Sequence, residues 1–213
     1  MAALTIGKEE EQRLKGLGFL NNKGTDNFSA RVITVSEKVT VAQLRCLADA
    51  PEKFGNGNLT FTTRLTVEVQ GIPYENIEAF REFIAKEGLT TGGTGPKVRP
   101  IVSCKGTTCQ YGLLDSFGIS EEIHHRFYVA YHDIKLPHEF KIAVGGCPNN
   151  CVKPNLNDLG IIGQRIPEFH KELCKGCKKC AIEAACPIGA SKVIDGVLVR
   201  DEEKCNHCGQ MKK

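Results

Sequence analysis

An α+β domain followed by a small cysteine-rich appendage is the architecture this sequence predicts, and three observations predict it. Helical and strand periodicities alternate through the first ninety residues. Short apolar runs suited to strands then accompany two cysteine pairs, Cys104/Cys109 and Cys147/Cys151. After about residue 167, large apolar side chains become scarce while cysteine and lysine accumulate.

Taken in order, Lys8 to Leu17 reads as a short amphipathic helix closed by Gly16 and Gly18. Phe28 to Val35 alternates as a half-buried strand does. Thr40 is the expected N-cap of a helix over VAQLRCLADAPEKF, interrupted near Pro51 and closed by Gly55. Leu59 to Val69 is rich in β-branched residues and alternates again, which predicts a second strand. Asn76 to Lys86 carries Ile77, Phe80, Phe83 and Ile84 at helical spacing. This β-α-β-α order suggests a ferredoxin-like layer over residues 8–90, with helices on one face of a sheet. Further on, Cys109 to Tyr131 reads as mainly helical with a break at Gly118, and Phe140–Val144 and Leu159–Ile166 suit strands. Cys147 and Cys151 then fall on a loop at a strand end. The expected division is residues 1–167 for the main domain, with 91–167 its second part, and 168–213 for the appendage.

The chain has 213 residues, 41% hydrophobic and 25% charged, enough for a core domain plus an appendage. A net charge of +3 with no Lys/Arg run gives no support for nucleic-acid binding. MAALTIGKEEEQRLKGLGF lacks the apolar stretch of a signal peptide, and no segment is long enough to span a bilayer. A cytoplasmic location is expected. In that setting eleven cysteines argue for metal or redox chemistry over disulfides. Cys46, inside an apolar helix pattern, is expected to be a buried small hydrophobe. TGGTGPKVRP lacks the G-K-[ST] ending of a phosphate loop, and reads better as a loop carrying Lys97 and Arg99 into a site.

The tail motif CKGCKKCAIEAACP sets Cys174, Cys177 and Cys180 at two-residue intervals, followed by Cys186 and Pro187. Three such thiolates wrap one iron–sulfur cube, whereas zinc sites use separated pairs. The stretch resembles the bacterial ferredoxin motif, with five residues where three usually separate the last two cysteines. Cys205 and Cys208 begin a second motif, but Met211 occupies its third cysteine position. In two-cluster ferredoxins the fourth cysteine of each motif serves the other cluster. The tail is therefore expected either to be cut short, the favoured reading, or to hold one cluster on Cys174, Cys177 and Cys180. The fourth ligand then stays open between Cys186 and a tail cysteine.

Spacing alone leaves zinc and an iron–sulfur cube open for Cys104, Cys109, Cys147 and Cys151. The surroundings favour something larger and anionic. Gly145 and Gly146 permit close backbone approach, and Asn149 and Asn150 tolerate a tight wrap. Lys105, Lys141, Lys153 and Arg99 lie nearby in sequence. FSARV at 28–32, LTFTTRLTVEVQGI at 59–72, VRPIVSCKGTTC at 98–109 and FKIAVGGCPNNCVKPNLNDLGIIGQ at 140–164 resemble the siroheme-dependent sulfite and nitrite reductases, especially a small single-repeat anaerobic branch. The likeness runs from about residue 8 to 167. One spacing departs from it, with four residues between the first two cysteines instead of five.

The resemblance implies a siroheme reductase half-repeat whose Cys104, Cys109, Cys147 and Cys151 hold a [4Fe-4S] cube, Cys151 also bridging to siroheme iron. It implies six-electron reduction of sulfite to sulfide or nitrite to ammonia. Arg64, Arg99 and Lys141 match the basic substrate residues, the arginines binding and Lys141 donating protons. Arg31, Thr62, Thr63, Lys97, Lys105, Asn149, Asn150 and Lys153 are the implied cofactor-binding residues, suited to a macrocycle with many carboxylates. Larger members contain two related halves, so a homo-oligomer or a partner subunit is expected to complete the pocket. An electron-donor protein is expected as well.

Glu139 stands where the family often has a base, two positions before Lys141. A carboxylate about 5 Å from an anionic substrate would cost about 3 kcal/mol at an effective dielectric near 20. Glu139 is therefore expected to turn away, to pair with a cation, or to mark a changed substrate. His124, His125 and His138 are further candidate proton carriers, the first two expected to be solvated on a polar helix. The rival readings are an electron-transfer subunit without its own turnover and a zinc-stabilised structural protein.

Overall fold

The computed structural model describes residues 6–211. The first lobe runs α1 (Lys8–Gly16), β1 (Phe19–Asn21), β2 (Asn27–Val32), α2 (Val41–Phe54), β3 (Leu59–Phe61), β4 (Val67–Pro73) and α3 (Ile77–Ala85). Its four strands form an antiparallel sheet in the order β1-β2-β4-β3. Phe28, Ala30 and Val32 of β2 and Val67, Val69 and Ile72 of β4 join Leu14 of α1, Leu47 of α2 and Phe80 of α3 in one apolar core. Phe80 meets Phe19 and Phe54 edge-on with ring centroids 6.0 Å apart. Burying Phe80 alone stabilises the lobe by about 2–3 kcal/mol. Cys46 lies in this core, as its apolar setting requires.

Three sequence expectations need correction here. LTFTTRLTVEV is a tight hairpin, not one strand, because Leu65 takes a left-handed φ of 59° and the Thr66 N–H donates to Thr62 Oγ1 at 3.2 Å. Its tip carries Arg64. α2 runs through Pro51 uninterrupted. Pro51 lies near the helix end, where it forfeits the bond to one earlier carbonyl, while its own carbonyl accepts from Gly55 and Gly57 at 3.0 Å each. The N-terminal end of α2 follows expectation, since Thr40 and Gln43 close a reciprocal capping box. The third correction is an omission: β1, only three residues long, carries too little alternation to be read.

The face of β2 and β4 away from the helices carries Arg31 and its register partner Glu68, paired at 2.5 Å. This face meets the second lobe. The Arg31 carbonyl accepts the Gly92 N–H, and Arg31 Nη1 donates to the Gly93 carbonyl.

The second lobe is a parallel three-stranded sheet, β5 (Val102–Ser103), β6 (Ile142–Gly145) and β7 (Leu159–Ile162), with β6 central. Ile101, Ile142 and Val144 form its core, with Ile119 and Ile123 of α4 (Ser116–Ile123) packed against them. The helical expectation over 109–131 holds only from Ser116, where α4 passes into a wider π-helical stretch, His124–Val129. Gly118 is no break. Its N–H donates to the Asp115 carboxylate that caps α4, and a Cβ there would lie 2.3 Å from Asp115 Oδ2. The strand boundaries are tighter than the apolar runs, and β5, with two residues, is too short to leave a pattern. Since the sheet is parallel, the loops leaving β5 and β6 emerge at the same edge.

The segment after residue 167 holds α5 (Ala181–Ala185) and a hairpin of β8 (Ser191–Ile194) and β9 (Val197–Arg200). Its buried residues are few: Ala190, Ser191 and Leu198 among those described. It leans on the second lobe through the Arg165 N–H, which donates to the His207 carbonyl at 2.9 Å, and through Arg200 Nη1, which donates to the Pro167 carbonyl.

Candidate functional site

Cys104 and Cys109 follow β5, and Cys147 and Cys151 follow β6, so the shared strand edge gathers all four. They line one cavity of about 390 Å³. Strand bonding fixes the first arm, with the Cys104 N–H donating to the Val144 carbonyl at 3.1 Å, and Ser116 Oγ holds the Cys104 carbonyl at 2.6 Å. In the second arm Asn150 takes a left-handed φ of 59° and Lys153 one of 48°, which wrap the chain back through Cys151. The Gly146 N–H points at Cys104 Sγ (3.1 Å), and Asn149 Nδ2 at Cys151 Sγ (3.2 Å).

Glycine works differently here from the sequence expectation. Gly145 and Gly146 abut protein. A Cβ on Gly146 would lie 2.6 Å from the Gly106 Cα, and one on Gly106 would lie 2.7 Å from the Gly146 Cα. The two arms are thus pressed backbone to backbone, and this contact is what brings the cysteine pairs to one cavity. A Cβ on Gly145 would meet Pro154 at 2.8 Å.

This donor set fits a cluster. Four soft thiol sulfurs surround a volume, with N–H groups already aimed at two of them. Among the described residues no three His, Cys, Asp or Glu side chains converge tightly enough for a single ion. Cys151 is the exposed member of the four, the others being half-buried.

The predicted basic residues fall into groups. Arg64 reaches from the β3–β4 tip into the second lobe, donating to the Pro100 carbonyl (2.7 Å), the Ile142 carbonyl (3.2 Å) and Asn157 Oδ1 (3.0 Å). Burial and then the neighbouring Arg99 lower its pKa to about 10. Arg99 Nη1 shares the Gly93 carbonyl with Arg31, and burial lowers its pKa as well. Nε of Arg64 and Nε of Arg99 are buried without a hydrogen-bond partner. Three guanidinium groups at the lobe junction, two with idle donors, suit an anionic guest. Thr62 bonds within its own hairpin, Thr63, Lys105 and Lys153 are exposed, and Asn150 Nδ2 donates to Asn155 Oδ1 at 2.8 Å. Lys97 faces a different cavity with Lys15 and Lys135.

Of the options for Glu139, the structure adopts the ion pair. Its carboxylate takes Lys141 Nζ at 3.2 Å and His138 Nδ1 at 3.0 Å. Its own backbone N–H and Lys141 hold it below the usual carboxylate range.

Two functional-looking groups differ from the sequence reading. His124 is buried, not solvated, because the π-helical stretch turns it inward to stack on Tyr128 with ring centroids 5.0 Å apart. Burial and the adjacent His125 push its pKa down to about 4. Glu37 escapes the sequence reading altogether. It lines the cysteine cavity, accepts the Ser103 N–H at 2.7 Å, and is pushed up to about 7 by burial. Only its place in the turn VSEKVT is visible in the sequence, which carries no sign of burial.

The tail cysteines divide. Cys186, Cys205 and Cys208 line one cavity. Cys208 also borders a second cavity, of about 480 Å³, which Cys147 and Asn149 of the main site share. The two cysteine sites are neighbours.

Residues 94–173 match the family model described as "Nitrite and sulphite reductase 4Fe-4S domain", and residues 21–87 match "Nitrite/Sulfite reductase ferredoxin-like half domain". A coenzyme F420-dependent sulfite reductase of Methanocaldococcus jannaschii is 34% identical over 140 residues, 65% of this chain and 22% of that protein. A subunit of the anaerobic sulfite reductase of Salmonella typhimurium is 31% identical over 201 residues, 84% of this chain and 56% of that one. The chain therefore spans only part of the length of these relatives. In fold it is similar to the crystal structure of dissimilatory sulfite reductase I, with a TM-score of 0.68 at 21% identity, over 86% of this chain and 48% of the other. No helix among the described residues is long and apolar enough to cross a membrane.

Proposed function

The chain belongs to the nitrite and sulphite reductase family, and from that premise we propose that it serves siroheme-dependent, six-electron reduction of sulfite to sulfide or nitrite to ammonia. The observation that carries this reading is the gathering of four thiols at one strand edge; three guanidinium groups meet at the lobe junction, where Arg64 bonds carbonyls before β5 and at the start of β6.

In this reading Cys104, Cys109, Cys147 and Cys151 would hold a [4Fe-4S] cube, with Cys151 its exposed ligand on the side open to a second cofactor. When bound, siroheme supplies the iron at which the anion is reduced, and the cube supplies electrons to it. The chain's own residues do the rest. Arg64 and Arg99 keep their charge at neutral pH and offer their unpartnered Nε–H donors to carboxylates of the macrocycle or to oxyanion oxygens. Lys141 Nζ is the proton donor, held by Glu139 until an anion competes for it. Residues 168–213 are read as a ferredoxin-type segment; a cluster held by its thiols would supply electrons to the main site, whose Cys147 shares a cavity with Cys208. A partner protein, or a second copy of the chain, closes the pocket over the junction.

A second reading, an electron-transfer subunit without turnover, draws on the neutralisation of Lys141 by Glu139. Turnover separates the two. Holo-protein reduced by a strong artificial donor should consume sulfite or nitrite, and Arg99→Ala should lose most of that rate. Full loading with both cofactors and no consumption of either anion would leave the electron-transfer reading.

A further inference from the structure

Arg99 is held less firmly than its neighbours in the guanidinium junction. Arg31 bonds the Glu68 carboxylate through Nε at 2.9 Å as well as the Gly93 carbonyl through Nη1 at 3.2 Å. Arg64 has three acceptors. Among the described residues the Arg99 side chain has one, the Gly93 carbonyl, 2.6 Å from Nη1. That carbonyl therefore sets where Arg99 points, and it draws two like charges to one oxygen. Gly93 takes a left-handed φ of 71°, and a glycine backbone has no side chain to restrict it. Something else must hold it.

Tyr128 supplies the hold. Its ring is buried and stacks on His124, the two residues lying in the π-helical stretch, a winding that recurs at functional sites. Its hydroxyl reaches the Gly92–Gly93 segment. A Cβ on Gly92 would lie 2.5 Å from the hydroxyl oxygen, and the Gly93 N–H faces that oxygen. Burial pushes the Tyr128 pKa up to about 12, so the phenol stays neutral and acts through hydrogen bonding.

We propose that Tyr128 is a positioning residue for anion binding: its hydroxyl fixes the Gly92–Gly93 segment, and through the Gly93 carbonyl it aims Arg99. This rests on the reading of Arg99 as an anion-binding residue and adds what orients it.

The test uses the full chain loaded with siroheme and cube, and follows binding of sulfite and of nitrite to the oxidised protein through the siroheme spectrum, without turnover. Tyr128→Phe keeps the ring and its stack and removes only the hydroxyl. It should weaken anion binding about fivefold, equivalent to one hydrogen bond, with siroheme content unchanged. In an Arg99→Ala background the same substitution should change binding no further, because the group it aims is gone. Gly92→Ala, which pushes a methyl group into the hydroxyl's place, should act as Tyr128→Phe does. Unchanged binding in Tyr128→Phe overturns the proposal, whether or not the denaturant midpoint falls, and so does an equal loss with and without Arg99. If Arg99→Ala weakens binding while Tyr128→Phe does not, the functional reading stands and this assignment falls. If the loaded wild-type protein binds neither anion, or binds them as well after Arg99→Ala, the functional reading falls and this assignment with it.

Discussion

The two cysteine sites sit side by side but are built by opposite means. The main site hangs on strand ends. Parallel β5 and β6 fix where its arms emerge, two apolar cores lie behind them, and the Gly106–Gly146 contact locks the arms together. The tail site has a two-stranded ribbon, a five-residue helix and three buried residues among those described. A ribbon of that size is not stable alone. The main site is thus shaped by the fold before any cofactor arrives, whereas the tail, on the proposed reading, would depend on a bound cluster for order.

The sharpest way to break this comparison is to remove the metal. Chelation should expose residues 168–211 to rapid proteolysis while 8–167 stay protected, since binding energy at the tail is folding energy. Equal loss of protection in both regions would show that the main site is no more preorganised than the tail. The second test attacks the lock. Gly146→Ala places a Cβ against the Gly106 backbone and should destabilise the second lobe by about 3 kcal/mol, read as a fall in the denaturant midpoint. It should also lower iron incorporation at the main site without touching the tail.

Arg64 comes next. Arg64→Met removes three hydrogen bonds that join the β3–β4 tip to β6 and its neighbours, and about 2–3 kcal/mol of stability should go with them. Arg64→Lys should recover only part, since one ammonium cannot reach all three acceptors. The smallest expected effect is a pH dependence at His124. Its folded pKa, about 4, lies below its ordinary value of 6.5. Between those values the unfolded chain binds more protons, so stability falls as pH drops through that window. His124→Phe should flatten this slope in the acid limb of the unfolding curve, and an unchanged slope would assign the dependence elsewhere.

Much of this is legible in residues. The capping box at Thr40, the amphipathic pattern of α3 and the strand-end position of Cys147 and Cys151 follow from local chemistry, which sequence records. The errors share a cause. LTFTTRLTVEV alternates whether it runs straight or folds at Leu65, so period alone cannot place Arg64 at a hairpin tip. His124 looks solvated because its neighbours are polar, and only the change from α to π winding turns it inward. Glu37 and the Gly106–Gly146 contact are meetings between distant segments, which no local pattern encodes. The grouping of Cys186 with Cys205 and Cys208, by contrast, follows the motif rule by which the fourth cysteine serves the other motif.

The central claim is that the four cysteines after β5 and β6 hold a cube joined to siroheme. The most direct test is the optical spectrum and iron content of anaerobically purified protein, with siroheme supplied during expression, compared with Cys151→Ser. The expected result is the Soret and red-region bands of siroheme, with iron in excess of one cube, and their loss or shift in Cys151→Ser. A brown, cluster-only spectrum that is the same in both proteins, or a colourless protein containing zinc, would contradict it.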